Sequence, residues 1–205
     1  MAALLRLSHF ASFENTAPMS RKTPIIHSTA VIAETRQFRI EALELEFSNG
    51  ECRRYERLAR NASSGAVLVV PMLDNDTVLL VREYAAGLHR YELGLPKGKI
   101  DAGEDALAAA NRELKEEVGY GARKLRQMQT LSLAPAYLEH TIDIVLAEDL
   151  YPEKLAGDEP EELEVVPWSI RRIDKLLATA ECSEARSIAA LYLVAEHLRG
   201  KRELF

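Results

Sequence analysis

The chain has 205 residues, of which 47% are hydrophobic, and its 26 lysines and arginines face 32 aspartates and glutamates. The apolar content excludes wholesale disorder, and the net charge of -6 argues against a nucleic-acid ligand that depends on phosphate neutralisation. Two distant cysteines, Cys52 and Cys182, exclude a disulfide framework, and no apolar run is long enough to cross a bilayer. We therefore predict a cytoplasmic protein with neither nucleic acid nor membrane as a partner.

The first sixty residues predict an arm followed by strands. The composition of residues 1–24 predicts a flexible N-terminal arm, and Met19 is a candidate for an alternative start of the natural protein, with Met1 left open as the start. Residues 25–60 predict an N-terminal β-hairpin region, because apolar and acidic residues alternate ahead of the hairpin signal Asn49-Gly50.

The remaining residues, 61–205, are assigned to one main domain that begins with two apolar strands. Residues 65–73 are nearly all apolar, which predicts a strand buried on both faces. Residues 74–76 turn the chain into a second strand over 77–83, so the two strands are expected to form a hairpin. A further short strand is predicted over 91–93.

The second half of this domain is predicted to contain three helices. The first, over 104–118, contains four alanines and no interior glycine or proline, and Gly119 is placed to end it. The other predicted elements are strands over 130–133 and 141–146, an acidic loop over 157–162, and helices over 170–179 and 184–199, the last stopping at Gly200. Together these elements predict an α+β protein, with a mixed sheet flanked by helices and an N-terminal antiparallel hairpin layer.

Three glutamates of the first predicted helix share one stripe. At ~100° per residue, Glu113, Glu116 and Glu117 fall within an arc of ~100°. Like charges at positions i and i+4 destabilise a helix by roughly 0.2–0.5 kcal/mol per pair. A hard divalent cation such as Mg²⁺ would turn this repulsion into a binding site, because it takes oxygen ligands. On the stripe alone, a solvated acidic helix face is the better interpretation.

The residues around this stripe follow a longer pattern. Five residues separate Gly98 from Glu104, seven separate Glu104 from Arg112, and Arg112 opens the run Arg-Glu-Leu-Lys-Glu-Glu-Val-Gly-Tyr. This spacing resembles the box of the Nudix hydrolase family, and only Tyr120 is a less usual choice at its position. Within the family, the sequence from about residue 23 to residue 200 is most similar to bacterial hydrolases of ADP compounds (NudE-type). The resemblance implies the Nudix fold, a mixed sheet sandwiched between helices (α/β/α).

The resemblance also implies an activity and a cofactor. The reaction would be hydrolysis of the pyrophosphate bond in ADP-ribose, diadenosine polyphosphates or NADH, with release of AMP and a phosphorylated product. The cofactor would be Mg²⁺, with Mn²⁺ as a substitute. The implied metal ligands are Glu113, Glu117, Glu116 and the backbone carbonyl of Lys97. Arg112 would position the glutamates through charge-assisted hydrogen bonds, and Glu104 would orient the loop or bind a metal water.

Other functional residues are expected outside the box. By similarity to ADP-ribose hydrolases, Glu159 is expected to be the general base and Glu161 a further metal ligand, with the reverse assignment left open. Arg82 is a candidate for binding a phosphate, although a salt bridge at a strand end explains it equally well. Tyr137 is a candidate for stacking on a base, and packing within its loop is the alternative.

Two other functions share the same box. A nucleoside triphosphate pyrophosphohydrolase is the first, and Pro135 with the N-terminal hairpin layer favours the diphosphate class over it. A non-catalytic sensor of nucleotide sugars is the second, but such modules often lose a box carboxylate and none is missing here. The resemblance further implies a homodimer that forms through the N-terminal β region.

The acidic residues are concentrated in two segments. Residues 101–120 carry a net charge of -4 and residues 148–164 one of -7, which leaves +5 for the rest of the chain. We expect the two segments to meet around divalent cations that bridge to a pyrophosphate.

Overall fold

A computed structural model of the protein describes residues 21–60 and 65–203. Most of the predicted N-terminal arm, including Met19, lies outside these ranges, so its predicted flexibility stays a prediction. The strands are β1 Ile25–Glu34, β2 Arg39–Glu46, β3 Cys52–Leu58, β4 Ala66–Pro71, β5 Thr77–Ala85, β6 Arg90–Gly94, β7 Lys97–Lys99, β8 Tyr120–Ser132, β9 Thr141–Pro152 and β10 Glu164–Ser169. The helices are α1 Ala106–Glu113, which continues into a π-helical turn Leu114–Val118, then α2 Ile173–Ala178, preceded by the 3₁₀ turn Ile170–Arg172, and α3 Ala185–Glu203.

The N-terminal strands form an antiparallel sheet in the order β1-β2-β3. Gly50 lies in the turn between β2 and β3 with a φ of 82°, a conformation that glycine adopts without strain. The predicted hairpin layer is therefore confirmed, and β1 adds a third strand to it. Every residue of β1 is exposed, so this edge of the sheet is open in the single chain.

Strand β4 lies at the centre of the main domain. It pairs antiparallel with β7 and parallel with β9, in a mixed sheet of order β7-β4-β9-β8. Leu68 and Val70 face the apolar cluster that includes Leu191 of α3, while Val67 and Val69 face the cluster of α1. Because side chains alternate along a strand, one buried strand holds helices on both faces. The predicted α/β/α sandwich is confirmed.

The prediction that β4 and β5 form a hairpin is wrong. The two strands belong to different sheets, since β5 pairs with β6 and β10. At the turn, β4 and β5 are joined by an isolated bridge between Met72 and Val78 and by the Leu73 N–H, which donates to the Thr77 carbonyl at 2.8 Å. Both edges of β4 are already paired, so the chain reverses and packs β5 against the first sheet instead of extending it.

Several element ends differ from those predicted. The Asp105 carboxylate accepts the N–H groups of Leu107 and Ala108, and this cap begins α1 two residues later than expected. Strand β8 starts directly after Gly119 and is ten residues longer toward its N-terminus than the predicted strand. The predicted stop at Gly200 is also wrong, because α3 continues to residue 203. A glycine inside a helix costs only about 1 kcal/mol, which the packing of α3 exceeds.

The loop between β8 and β9 is attached to the N-terminal sheet. The N–H of Leu58 donates to the Tyr137 carbonyl at 2.8 Å, and the N–H of Glu139 donates to the Leu58 carbonyl at 2.9 Å. Arg57 adds an ion pair to the Glu139 carboxylate at 3.3 Å. The N-terminal sheet thus holds one loop of the main domain in place. In the described ranges, none of the helices has the length and apolar character that a membrane span requires.

Candidate active site

Strand β7 and the end of α1 meet where the box glycine faces the first box glutamate. A Cβ built on Gly98 would overlap the carboxylate of Glu113. Position 98 therefore requires glycine, because the Glu113 side chain packs directly against the backbone there. The helix then continues into the π-helical turn, a distortion that is frequent at functional sites.

Arg112 organises the carboxylates of the box. Its Nε and Nη2 donate to the two oxygens of Glu104 at 3.0 and 3.1 Å, a bidentate pair. Its Nη1 donates to Glu113 at 2.8 Å and to Glu116 at 2.9 Å, and Nη2 also donates to the Lys99 carbonyl at 2.8 Å. The Glu104 hydrogen bonds raise the pKa of Arg112 above its ordinary value, and the same pair lowers the pKa of Glu104. One guanidinium thus joins the loop, β7 and the helix.

Two box carboxylates are buried. Glu113 is 8% exposed and Glu117 only 4%. Burial raises the pKa of Glu117 to about 8, and the negative charges of Glu113 and Glu83 add to that effect. Burial likewise raises the pKa of Glu113, while Arg112 opposes the shift. Carboxylates held in this way favour either a proton or a cation beside them.

The donor set fits a hard divalent cation. The Glu117 side chain lies beside the backbone of Lys97, whose N–H donates to its Oε2 at 3.2 Å. Arg112 engages Glu113 and Glu116 through one oxygen each, which leaves the second oxygen of both outside its contacts. These are oxygen donors of the kind that Mg²⁺ prefers. Within residues 21–60 and 65–203, however, no three acidic, histidine or cysteine side chains converge into a ready-made metal site.

The acidic loop between β9 and β10 approaches the box from the other side. A Cβ on Gly157 would overlap Oε2 of Glu159 and would lie 3.8 Å from Cβ of Glu116. The charge of Glu159 also contributes to the raised pKa of Glu113. Glu161 accepts a hydrogen bond of 2.6 Å from the Tyr91 hydroxyl, and this carboxylate raises the pKa of Tyr91. The structure therefore brings the acidic loop to the box. Within the loop, Glu159 lies near Glu116, whereas Glu161 is bonded to Tyr91.

Arg82 and Tyr137 occupy different surroundings from the box. Arg82 donates from Nε to Glu164 at 2.9 Å and also forms an ion pair with Glu181 at 3.4 Å. Its guanidinium is therefore engaged at a strand end, as the salt-bridge alternative describes. Tyr137 is 56% exposed, and its loop is held by its backbone carbonyl, so its ring is not packed inside the protein.

Two residues near the site were not singled out from the sequence. Tyr91 holds Glu161, and Glu83 forms an ion pair with the Lys97 ammonium group. Both lie on the β5–β6 pair, where Glu83 follows Arg82 directly. The available signal in the sequence was the alternation of side chains along the strand, which places Glu83 on a different face from Arg82. The pairing of β5 with β6 then places Glu83 opposite Glu92.

The chain is similar to known proteins over most of its length. Residues 63–191 match the family model of the NUDIX domain, and residues 24–57 match that of the NudE-type Nudix hydrolase N-terminal domain. The chain is 48% identical over 182 residues to the ADP compounds hydrolase NudE of Escherichia coli K12, covering 89% of this chain and 97% of the relative.

Other relatives extend the comparison. An ADP-ribose pyrophosphatase of Bacillus subtilis is 30% identical over 150 residues, which covers 72% of this chain and 80% of the relative. A crystal structure of an ADP compounds hydrolase superposes with a TM-score of 0.83 at 48% identity, covering 89% of this chain and 97% of that one.

Proposed function

The chain belongs to the Nudix hydrolase family, and on this premise we propose that it hydrolyses the pyrophosphate bond of ADP-linked compounds. ADP-ribose, diadenosine polyphosphates and NADH are the proposed substrates, and AMP with a phosphorylated second product leaves the enzyme. The observation that carries the proposal is the approach of the acidic loop, through Glu159, to a box that keeps all its carboxylates.

Nudix hydrolases generally use a divalent metal ion. We propose Mg²⁺ for this enzyme, with Mn²⁺ as a substitute, held by Glu113, Glu116, Glu117, the Lys97 carbonyl and Glu161. When bound, the ion screens the charge of the pyrophosphate and lowers the pKa of a coordinated water. Burial of Glu113 and Glu117 supports this assignment, because a cation offsets the cost of keeping both carboxylates ionised.

The chain's own residues then divide the remaining tasks. Arg112 holds Glu113 and Glu116 in place through its Nη1. We assign Glu159 to accept the proton of the attacking water, since it lies beside Glu116 and no described cation pairs with it. Glu161 is held by Tyr91 at a separate point of the same loop. Arg82 and Tyr137 are proposed to contact the substrate, which requires Arg82 to exchange a carboxylate for a phosphate.

The proposal extends to organisation and assembly. We divide the chain into an arm (1–24), an N-terminal β region (25–60) and the Nudix domain (61–205). We propose that two copies associate through the β region, because exposed apolar side chains line the open edge strand β1. The largest of these are Ile25, Ile26, Val31 and Ile32. Free thiols at Cys52 and Cys182 are consistent with a reducing cytoplasm.

A lysine on the open edge tests the assembly. Ile26→Lys should shift the mass measured by light scattering from that of two chains to that of one, whereas Lys22→Ala should leave it unchanged. A wild-type protein that elutes as a single chain at all concentrations contradicts the proposed dimer.

A substrate panel with Mg²⁺ tests the activity. Phosphorus NMR should show AMP and a phosphomonoester from ADP-ribose, and AMP with a second nucleotide from diadenosine polyphosphates. Release of inorganic pyrophosphate from nucleoside triphosphates, with ADP-linked compounds left intact, would assign the triphosphate activity instead. The chelator EDTA should abolish turnover, and added Mg²⁺ should restore it.

A further inference from the structure

Strand β7 leads from the candidate active site to a second cleft of about 820 Å³. It is lined by the turn between β1 and β2, the end of β3 with the two residues after it, the residue before β4, the end of β7, the loop between β8 and β9, and the start of α3. Its basic lining residues are Arg36, Arg39, Arg60, Lys99, Arg186 and the imidazole of His140. We refer to this space as the basic cleft.

The basic cleft concentrates positive charge on an acidic chain. Glu139 is its one acidic lining residue among those described, and Arg57 already forms an ion pair with it. Arg39 and Arg186 have carboxylate partners in Glu41 and Glu184. The lining cations without such a partner are Arg36, Arg60 and Lys99, for which no carboxylate of the described ranges lies within ion-pair distance.

The imidazole of His140 lines the basic cleft together with Arg60 and Arg186. Burial lowers the pKa of His140, and the positive charges of Arg186 and Arg60 lower it further. Like charges that face one cavity repel, and an anion between them removes that repulsion.

The basic cleft is adjacent to the proposed reaction centre. Lys99 lines it, and Lys97 lies two residues earlier on the same strand, a separation of ~7 Å in an extended chain. Arg112 binds the Lys99 carbonyl and so connects the box to the wall of the cleft. A substrate whose pyrophosphate occupies the box can therefore extend one end into the cleft.

We infer that the basic cleft binds additional phosphate in the second half of the substrate, so the enzyme favours dinucleoside polyphosphates over ADP-ribose. This inference rests on the proposed function. A neutral sugar gains little from three cations that lack carboxylate partners, whereas phosphate oxygens accept charge-assisted hydrogen bonds from arginine and lysine. The cleft thus selects substrates by the charge of the group beyond the bond that is cleaved.

Kinetics on two substrates test the inference. The ratio of kcat/KM for diadenosine tetraphosphate to kcat/KM for ADP-ribose should fall about tenfold in Arg60→Gln and in Lys99→Gln. Arg60→Lys should retain most of the ratio, because it keeps the charge. Arg199→Gln removes an exposed arginine from α3 outside the cleft and should leave the ratio unchanged. An unchanged ratio in both glutamine variants overturns the inference.

Binding without turnover separates this inference from the proposed function. Isothermal titration with inorganic tripolyphosphate in EDTA should show binding to the wild type and at least tenfold weaker binding to the double variant Arg60→Gln/Lys99→Gln. Circular dichroism melting should confirm that the double variant is folded. Equal affinity, or no binding to the wild type, overturns the cleft assignment. If tripolyphosphate binds as expected while no ADP-linked compound is cleaved, the cleft stands and the proposed activity fails.

Discussion

Gly98 lies so close to Glu113 that the carboxylate of Glu113 occupies the space a side chain at position 98 would need. The overlap involves the carboxylate carbon and both of its oxygens. Glu113 is only 8% exposed, so it has no room to move aside into solvent. The smallest possible addition at residue 98 therefore acts on the position of a proposed metal ligand.

Gly98→Ala should lower turnover of ADP-ribose by about 10- to 100-fold, in line with changes that act on a metal ligand from a neighbouring residue. Gly87→Ala is the matched control, because nothing lies within 4 Å of a Cβ built there. Steady-state kinetics at several Mg²⁺ concentrations measure the effect. Full activity of Gly98→Ala at ordinary Mg²⁺ concentrations contradicts the assignment of Glu113.

Glu117→Gln should abolish most Mg²⁺-dependent hydrolysis while the fold survives. The amide has the shape of the carboxylate without its charge, and about a 100-fold loss or more is expected. Because a neutral side chain suits this buried position, the melting temperature of the metal-free variant should not fall below that of the wild type at pH 8. Glu162→Gln, in the exposed part of the acidic loop, is the control. Turnover equal to the control removes Glu117 from the metal site.

The two loop glutamates should respond differently to the same change. Glu159→Gln should lower kcat by roughly 100-fold or more with little change in Mg²⁺ dependence, as expected for a general base. Glu161→Gln should instead raise the Mg²⁺ concentration needed for half-maximal rate. Metal titrations at saturating substrate distinguish the two. If the phenotypes are exchanged, the roles of Glu159 and Glu161 are reversed.

Tyr91→Phe removes the 2.6 Å hydrogen bond to Glu161 and leaves the aromatic ring in place. A hydrogen bond to a charged group contributes about 1.5–3 kcal/mol, and exposure reduces this value here. We expect a several-fold increase in the Mg²⁺ concentration needed for half-maximal rate. Tyr192→Phe, an exposed tyrosine of α3, should behave as the wild type. An identical Mg²⁺ dependence in both variants shows that Glu161 does not need Tyr91.

The two thiols should react at different rates. Cys52 is exposed and Cys182 is buried, and burial raises the pKa of Cys182 to about 11. The thiolate is the reactive form, so at pH 8 one thiol per chain should react quickly with an aromatic disulfide reagent. The second should react only above about pH 11 or after unfolding. Cys52→Ser should remove the fast phase, and a fast phase that persists contradicts the assignment.

The box could be identified from the sequence because its residues are close in the chain. Gly98, Glu104, Arg112 and the glutamates all lie within 23 residues, so loop and helix geometry bring them together. The partners of Arg82 could not be predicted in this way. Glu164 and Glu181 lie 82 and 99 residues further on, and only the pairing of β5 with β10 brings Glu164 opposite Arg82.

The fold shows the same division between local and distant information. The apolar run of β4 identified a buried strand, but it carried no signal for which strands would pair with it. Turn residues after β4 indicated a reversal of the chain, which a hairpin and a change of sheet satisfy equally. The start of α1 depended on which acidic residue caps the helix, and Asp105 does so rather than Glu104.

The attachment of the β8–β9 loop has an evolutionary consequence. Leu58 holds this loop through backbone hydrogen bonds to Tyr137 and Glu139, which do not depend on the identity of the side chains. Mutations at these positions can therefore change the chemistry of the surface while the loop keeps its place. A lineage with this anchor can therefore vary the side chains that the loop displays by single replacements, without rebuilding the backbone that holds the loop.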